Sequence, residues 1–401
     1  MLAGVVVACL SLGSVVSQPS ESSLAPVAWA HLAFAVLLIQ TLFTVLAGRT
    51  ALARSRYMRW VIVACALLLP PVLWATDLAA GGLAYFNFAS GVVLGVTVGL
   101  VWRALPGNRI NAIDVGLVVF VVWSAVQLMR TTSAGGSHEA HQLAETSWGR
   151  SNYVGGVLAV AAFVLIARSS QIERGRWVLW LGSATAVLAS VETQSRGALI
   201  ALSVGALAVV WNMGERPATR AVVRLVAVGL PFVAARAFAD LNEARTIAST
   251  NAVINVDTRV ELWRAAVQQF VSSPLTGTGW ASLRSVPVGV HSESQTFAHN
   301  AIVSFPQIGG LLFGVPLLII LAGLTWRALR YGNAAFRAPV LAAIAISMTD
   351  PFLEGMVGGA LVWMVFCLAI PVGEVELRGP RTVRPGGAQV DATWHTGTER
   401  N

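Results

Sequence analysis

The residues from 80 to 101 carry no charge, and stretches of the same kind recur along almost the whole chain. A helix needs about 20 apolar residues to cross the hydrocarbon of a bilayer. On that measure the sequence predicts spans near 2 to 17, 26 to 47, 58 to 76, 80 to 101, 111 to 129, 153 to 168, 177 to 192, 197 to 213, 220 to 237, 300 to 326, 338 to 350 and 355 to 373. The expected fold is an all-α polytopic membrane protein of about twelve transmembrane helices. The first stretch is short enough to be a signal peptide but lacks its basic leader.

Composition agrees: the chain is 56% hydrophobic and 11% charged, with a mean hydropathy of +0.69, where a soluble domain carries roughly a quarter charged residues. The net charge of +8 does not point to nucleic acid, because the basic residues are spread over short gaps and form no compact patch. All of them are arginines, as a GC-rich coding bias would give. Cys9, Cys65 and Cys367 fall inside apolar runs without metal-ligand spacing and read as small core residues.

Arginine placement sets the orientation, since positive loops stay cytoplasmic. Arg49, Arg54, Arg56, Arg59, Arg103, Arg109, Arg168, Arg174, Arg176, Arg216, Arg220, Arg224, Arg327, Arg330 and Arg337 all follow even-numbered spans, and Arg378, Arg381 and Arg384 follow the last. The opposite loops hold Glu21, Asp77, Glu139, Glu145, Glu192, Asp240, Glu243, Asp350 and Glu354. Residues 1–237 therefore read as helices one to nine, 238–298 as a large, partly helical external loop, 299–373 as helices ten to twelve, and 374–401 as a disordered cytoplasmic tail.

Long loops inside a compact protein are usually functional. Within the external loop, "NVDTRVELWRAAVQQFVSSPLTGTGW" predicts a helix capped near Asp257 or Thr258 and stopped at Pro274, Gly277 and Gly279. Its apolar face would lie on the membrane surface or on the spans. Arg259 falls in its first turn, Arg196 lies between two apolar runs in "TQSRGALIAL", and His299 and Asn300 stand at the mouth of span ten. Alone, each has a plainer reading: a snorkelling side chain, a solvated helix residue, a polar helix start. Together they form one polar set at one membrane face.

Two arginines there suit a diphosphate, because guanidinium binds phosphate oxygens bidentately and keeps its charge. No nucleotide sugar is supplied outside the cell, so a glycosyl donor would ride on a lipid diphosphate. Glycosyl transfer also needs a base for the attacking hydroxyl, and histidine titrates in the right range.

These residues resemble a known family. "TQSRGALIAL", "TRVELWRAAVQQFVSSPLTGTGW" and "HNAIVSFPQIGGLLFG", in that order, are similar to the signature series of the O-antigen ligase and polymerase superfamily, and "GRSNYVGGVLA" at 149–159 resembles its asparagine-containing motif. The resemblance, from about 149 to 370, implies a GT-C-like membrane fold in the bacterial inner membrane. It implies transfer of a glycan from an undecaprenyl or related polyprenyl diphosphate to an acceptor hydroxyl on the external, periplasmic face, without metal or cofactor and with inversion. The acceptor would be a glycan, a lipid or a wall polymer.

On matching positions Arg196 and Arg259 would bind the diphosphate, His299 would be the base, and Asn300, with Arg264, would support them. Where many members have an acidic residue before the glycine pair, this chain has Gln307. The external segment 130–152, with Arg130, Trp148 and Arg150, is the expected contributor to acceptor choice.

Two other readings compete. "SHEAH" offers His138, Glu139 and His141, and "HSESQTFAH" offers His291, Glu293 and His299, but neither makes a complete metal-ligand set. A transporter or flippase would hold its polar groups near the bilayer midplane, often in repeats. Here the spans are nearly uncharged and the polar set lies at one face, which favours an enzyme. Ligase is favoured over polymerase of lipid-linked repeats because no soluble acceptor-binding domain is recognisable.

Overall fold

The computed structural model describes residues 56–105, 107–133, 145–146, 149–193, 195–212, 251–285 and 297–370. Spans one, two and nine and the C-terminal tail lie outside them, as do His138, Glu139, His141, Trp148, His291 and Glu293.

The described chain is helical apart from one small hairpin. It contains α1 (Arg56–Leu68), α2 (Leu78–Ala104), α3 (Ala112–Ser133), α4 (Ser151–Ser169), α5 (Arg176–Glu192), α6 (Arg196–Asn212), α7 (Asn251–Ser272), α8 (Ala301–Tyr331), α9 (Arg337–Ser347) and α10 (Met356–Ala369). Strands β1 (Glu145–Thr146) and β2 (Gly149–Arg150) pair antiparallel just ahead of α4, inside a segment expected to be loop. Among the described residues four helices, Leu78–Arg103, Ala112–Arg130, Asn152–Ser169 and Ala301–Tyr331, are long and apolar enough to cross a membrane; Tyr57–Val72, Arg196–Trp211, Ala334–Ser347 and Met356–Ala369 are shorter apolar helices.

Local chemistry fixes the ends. α1 stops where Pro70 and Pro71 deny it further donors, well before the expected end of that span. Asp77 caps α2, accepting from the N–H groups of Ala79 and Ala80 at 3.0 Å. Asn111 and Asp114 form a capping box at α3: Asn111 Oδ1 accepts from Ile113 and Asp114, and Asp114 Oδ2 accepts from the Asn111 N–H.

The centre of the core is α4. Residues 154–165 are all buried, as expected for a helix apolar on every side, and α5, α6, α9 and α10 surround it. α2 and α10 pack along a stripe of small residues, Gly91, Gly95 and Gly99 facing Met356, Ala360 and Cys367, which lets the backbones approach closely.

The span expected at 300–326 is instead a broken helix. Inside α8, Gly310 adopts φ 60° and ψ −160°, left-handed backbone that a side chain would strain. The break strands polar backbone groups, which a membrane protein must satisfy internally. Residues 274–279 do so: Thr278 and Gly279 donate to the carbonyls of Gln307 and Ile308, while Leu311 and Leu312 donate to those of Pro274 and Leu275, at 2.8–3.0 Å. Trp280, fully buried, then anchors this segment by donating from Nε1 to the Leu68 carbonyl at 2.8 Å.

α7 begins at Asn251, several residues before the expected cap at Asp257 or Thr258. A polar residue offers a helix start but cannot impose one when helix-compatible residues precede it. Its stop agrees with the reading, Ser272 being followed by Pro274.

Candidate active site

The site forms where α6, α7, α8 and the turn between α9 and α10 meet. Ser195 starts α6: its hydroxyl accepts from the Ala198 N–H at 3.3 Å and donates to the Asn152 carbonyl at 3.4 Å. The "GRSNYVGG" motif is thereby joined to "TQSRG". Arg196 follows in the first helical position, where a cation opposes the helix dipole. Gly197 comes next, and a Cβ there would meet Thr349 Oγ1 at 2.5 Å and also Asp350 Oδ2. Only a glycine lets the α9–α10 turn lie this close to the start of α6.

Arg259 reaches the same turn from α7. Its Nη1 donates to the Thr349 carbonyl at 3.1 Å and its Nη2 to Asp350 Oδ1 at 3.3 Å. His299 approaches from the segment leading into α8, with Nδ1 3.7 Å from the same Oδ1 atom. Asp350, 2% exposed, is therefore shared by the arginine and the imidazole.

Arg196 and Arg259 are electrostatic neighbours: burial, and then the charge of Arg259, lower the pKa of Arg196. The half-buried Arg196 guanidinium makes no hydrogen bond or ion pair with the described residues. Two guanidinium groups thus stand as neighbours at this end of α6 and α7, and such a pair is suited to an incoming anion.

His299 has φ 55°, a left-handed conformation that costs a residue with a side chain roughly 1–2 kcal/mol. Such strain persists only where the surroundings enforce it. Asn300 is extended and caps α8, its Oδ1 accepting from the Ile302 N–H at 2.9 Å, so it fixes the helix start beside His299. Arg264 is exposed on another face of α7 from Arg259. Arg130, at the end of α3, is likewise exposed.

Two carboxylates escaped the sequence reading as site residues. Asp350 was visible only as one acidic residue of the outer loops. Glu354 lies just beyond it, fully buried, and neither of its carboxyl oxygens has a hydrogen-bond partner of good geometry. Burial pushes its carboxyl up to about 7, with its own backbone and the Ser304 hydroxyl opposing the shift. A charge in "TDPFLEG" was legible; which helices would close over it was not.

The neutral Gln307 has a structural explanation. Its Nε2 lies within hydrogen-bond distance of Gln269 Oε1 at 3.1 Å, Thr278 Oγ1 at 2.9 Å and Ser282 Oγ at 2.5 Å, three acceptors shared between two N–H groups. This buried amide cluster ties α7 to α8 beside the Gly310 break. Among the described residues no three His, Cys, Asp or Glu side chains gather as a metal site would require.

Residues 181–318 match the family model described as O-antigen ligase. No curated protein matches the chain. The matched range holds Arg196, Arg259 and His299 and ends before Asp350. Over residues 181–318 the chain is thus similar to the O-antigen ligase family, in the same stretch that holds the motifs resembling the O-antigen ligase and polymerase superfamily.

Proposed function

We propose that this protein is a membrane glycosyltransferase, a ligase that moves a glycan from a polyprenyl-diphosphate carrier to an acceptor hydroxyl at the external face of the bacterial inner membrane. The observation that carries the reading is that buried Asp350 receives Arg259 and faces His299, residues distant in sequence, while Arg196 is an electrostatic neighbour of Arg259. The family match supports the reaction class.

In this reading Arg196 and Arg259 bind the diphosphate and stabilise the charge that grows on it as the bond from the anomeric carbon to the phosphate oxygen breaks. The acceptor oxygen attacks that carbon from the opposite face, which inverts its configuration. His299 takes the hydroxyl proton on Nε2. Its Nδ1 faces Asp350, which holds the ring in the matching tautomer and stabilises the imidazolium. Polyprenyl diphosphate leaves with the bonding electron pair. The cations of the site are arginines, so no metal ion is needed for charge neutralisation.

The test uses purified protein in vesicles with polyprenyl diphosphate bearing a radiolabelled glycan, and a membrane extract as acceptor source. Transfer is expected without an ion gradient and in the presence of EDTA. Arg196→Ala and Arg259→Ala should each cut turnover by about 100-fold or more, and lysine at either place should restore it only in part. His299→Ala should lower kcat with little change in KM. Movement of the glycolipid across the vesicle without transfer would overturn the proposal in favour of a transporter, and growth of lipid-linked chains would make the enzyme a polymerase.

A further inference from the structure

The peptide groups on either side of Ala298 are held from two directions. The Trp263 indole Nε1 donates to the Ala298 carbonyl at 2.7 Å, and the Ala298 N–H donates to Ser304 Oγ at 3.3 Å. Ala298 itself is fully buried and packs with Leu283 and with Ala265 and Ala266, small α7 side chains that leave room for the stretch of chain entering α8. The next residue is His299, in its left-handed conformation.

Trp263 stands four residues after Arg259, on the same face of α7. One helix thus carries both the guanidinium that reaches Asp350 and the indole that grips the histidine's neighbour. Ser304 lies in the first arm of α8 and is fully buried. Its oxygen accepts from Ala298, so its own proton can turn to another acceptor, and the Glu354 carboxyl is the group with which it interacts.

We infer that Trp263 and Ser304 are positioning residues that clamp the Ala298 peptide on both sides, fixing the strained backbone of His299 so that its ring faces Asp350. The clamp rests on the reading of His299 as the base. It also ties the two functions of the site together: α7 cannot shift and release Arg259 without loosening His299. Trp263 touches neither the diphosphate nor the acceptor in this scheme and acts only through the backbone.

The experiment compares Trp263→Phe, which keeps an aromatic ring and loses the N–H, and Ser304→Ala, with Ser304→Thr as the conservative replacement. Turnover of the radiolabelled polyprenyl-diphosphate glycan is measured in vesicles beside His299→Ala. Trp263→Phe and Ser304→Ala should each lower kcat by about tenfold with KM for the donor within about twofold. Ser304→Thr should recover most of the loss. A second readout needs no turnover: modification of His299 by diethyl pyrocarbonate, followed in the His299 peptide by mass spectrometry, should be about threefold faster or more in the two clamp variants, because the ring is no longer fixed.

Normal kcat and unchanged modification in both variants, with His299→Ala inactive, would overturn the clamp and leave the base assignment standing. A fully active His299→Ala would overturn the reading on which the clamp rests. Equal loss in Ser304→Ala and Ser304→Thr, with His299 no more reactive than before, would make the site one of packing and refute the positioning role.

Discussion

Asp350 and Glu354 sit four residues apart and do opposite things. Asp350 is buried but compensated, its Oδ1 receiving Arg259 and facing His299. Glu354 is buried without compensation, and its carboxyl is raised from 4.5 to about 7 chiefly by desolvation. A raised acid pKa means the folded protein holds a proton that the unfolded chain has lost, so stability falls as pH rises through that window. Glu354→Gln should therefore raise thermal stability at about pH 8, by on the order of 2 kcal/mol, while the gain shrinks as pH drops towards 4.5. Thermal unfolding of the detergent-solubilised protein followed at both ends of the window checks this, and an equal gain at every pH would refute it. Neither carboxylate could be assigned from its neighbours in sequence. The partners of Asp350 lie on α7 and before α8, more than fifty residues away, and one-dimensional patterning has no term for such an encounter.

At the scale of elements, two glycines decide how the pieces meet. Gly197 allows the start of α6 to touch Thr349 and Asp350, so "SRG" combines a cap, a cation and a point of close approach. Gly197→Ala is expected to push the α9–α10 turn away and to lower transfer by about tenfold to 100-fold, measured as kcat/KM for the donor. Gly310 allows α8 to break. A Cβ there would meet the Leu275 carbonyl carbon and the Gly277 nitrogen at 2.5 Å, and the left-handed backbone adds about 1–2 kcal/mol of strain. Gly310→Ala should therefore lower the midpoint of thermal unfolding, and an unchanged midpoint would show that the break relaxes freely. The apolar run that reads as one span is two arms because the 274–279 segment supplies the hydrogen bonds the break gives up. No period in the sequence of α8 announces that.

Across the whole molecule the arginine-rich end is more than a topological signal. Arg103 caps the end of α10 by donating to the Cys367 and Ile370 carbonyls at 2.7 and 2.8 Å. Arg168 is buried and binds Asp114 at 2.9 Å together with the carbonyls of Gly107 and Arg109. Asp114→Ala would leave that guanidinium unpaired and is expected to destabilise the fold by about 3–5 kcal/mol, read as a fall in the unfolding midpoint. The site lies at the opposite ends of these helices. In intact cells a membrane-impermeant maleimide should label Thr276→Cys, on the exposed loop beside α8, and should not label Asn108→Cys, on the exposed α2–α3 connection; the reverse pattern would place the site in the cytoplasm.

The sequence by itself determined that the chain is helical and apolar and which end of its helices is basic, and it shows motifs similar to the family's series, because hydropathy, charge and short motifs are local properties. It also located most helix ends within a few residues, since caps and prolines act over one turn. Only the tertiary structure decided that Asp350 is the common partner of Arg259 and His299, that Glu354 is buried without a full partner, that α8 is broken, and that Trp263 and Ser304 grip one peptide. Each of these depends on groups remote along the chain being brought within a few ångströms, and distance in space is the quantity that linear order leaves free.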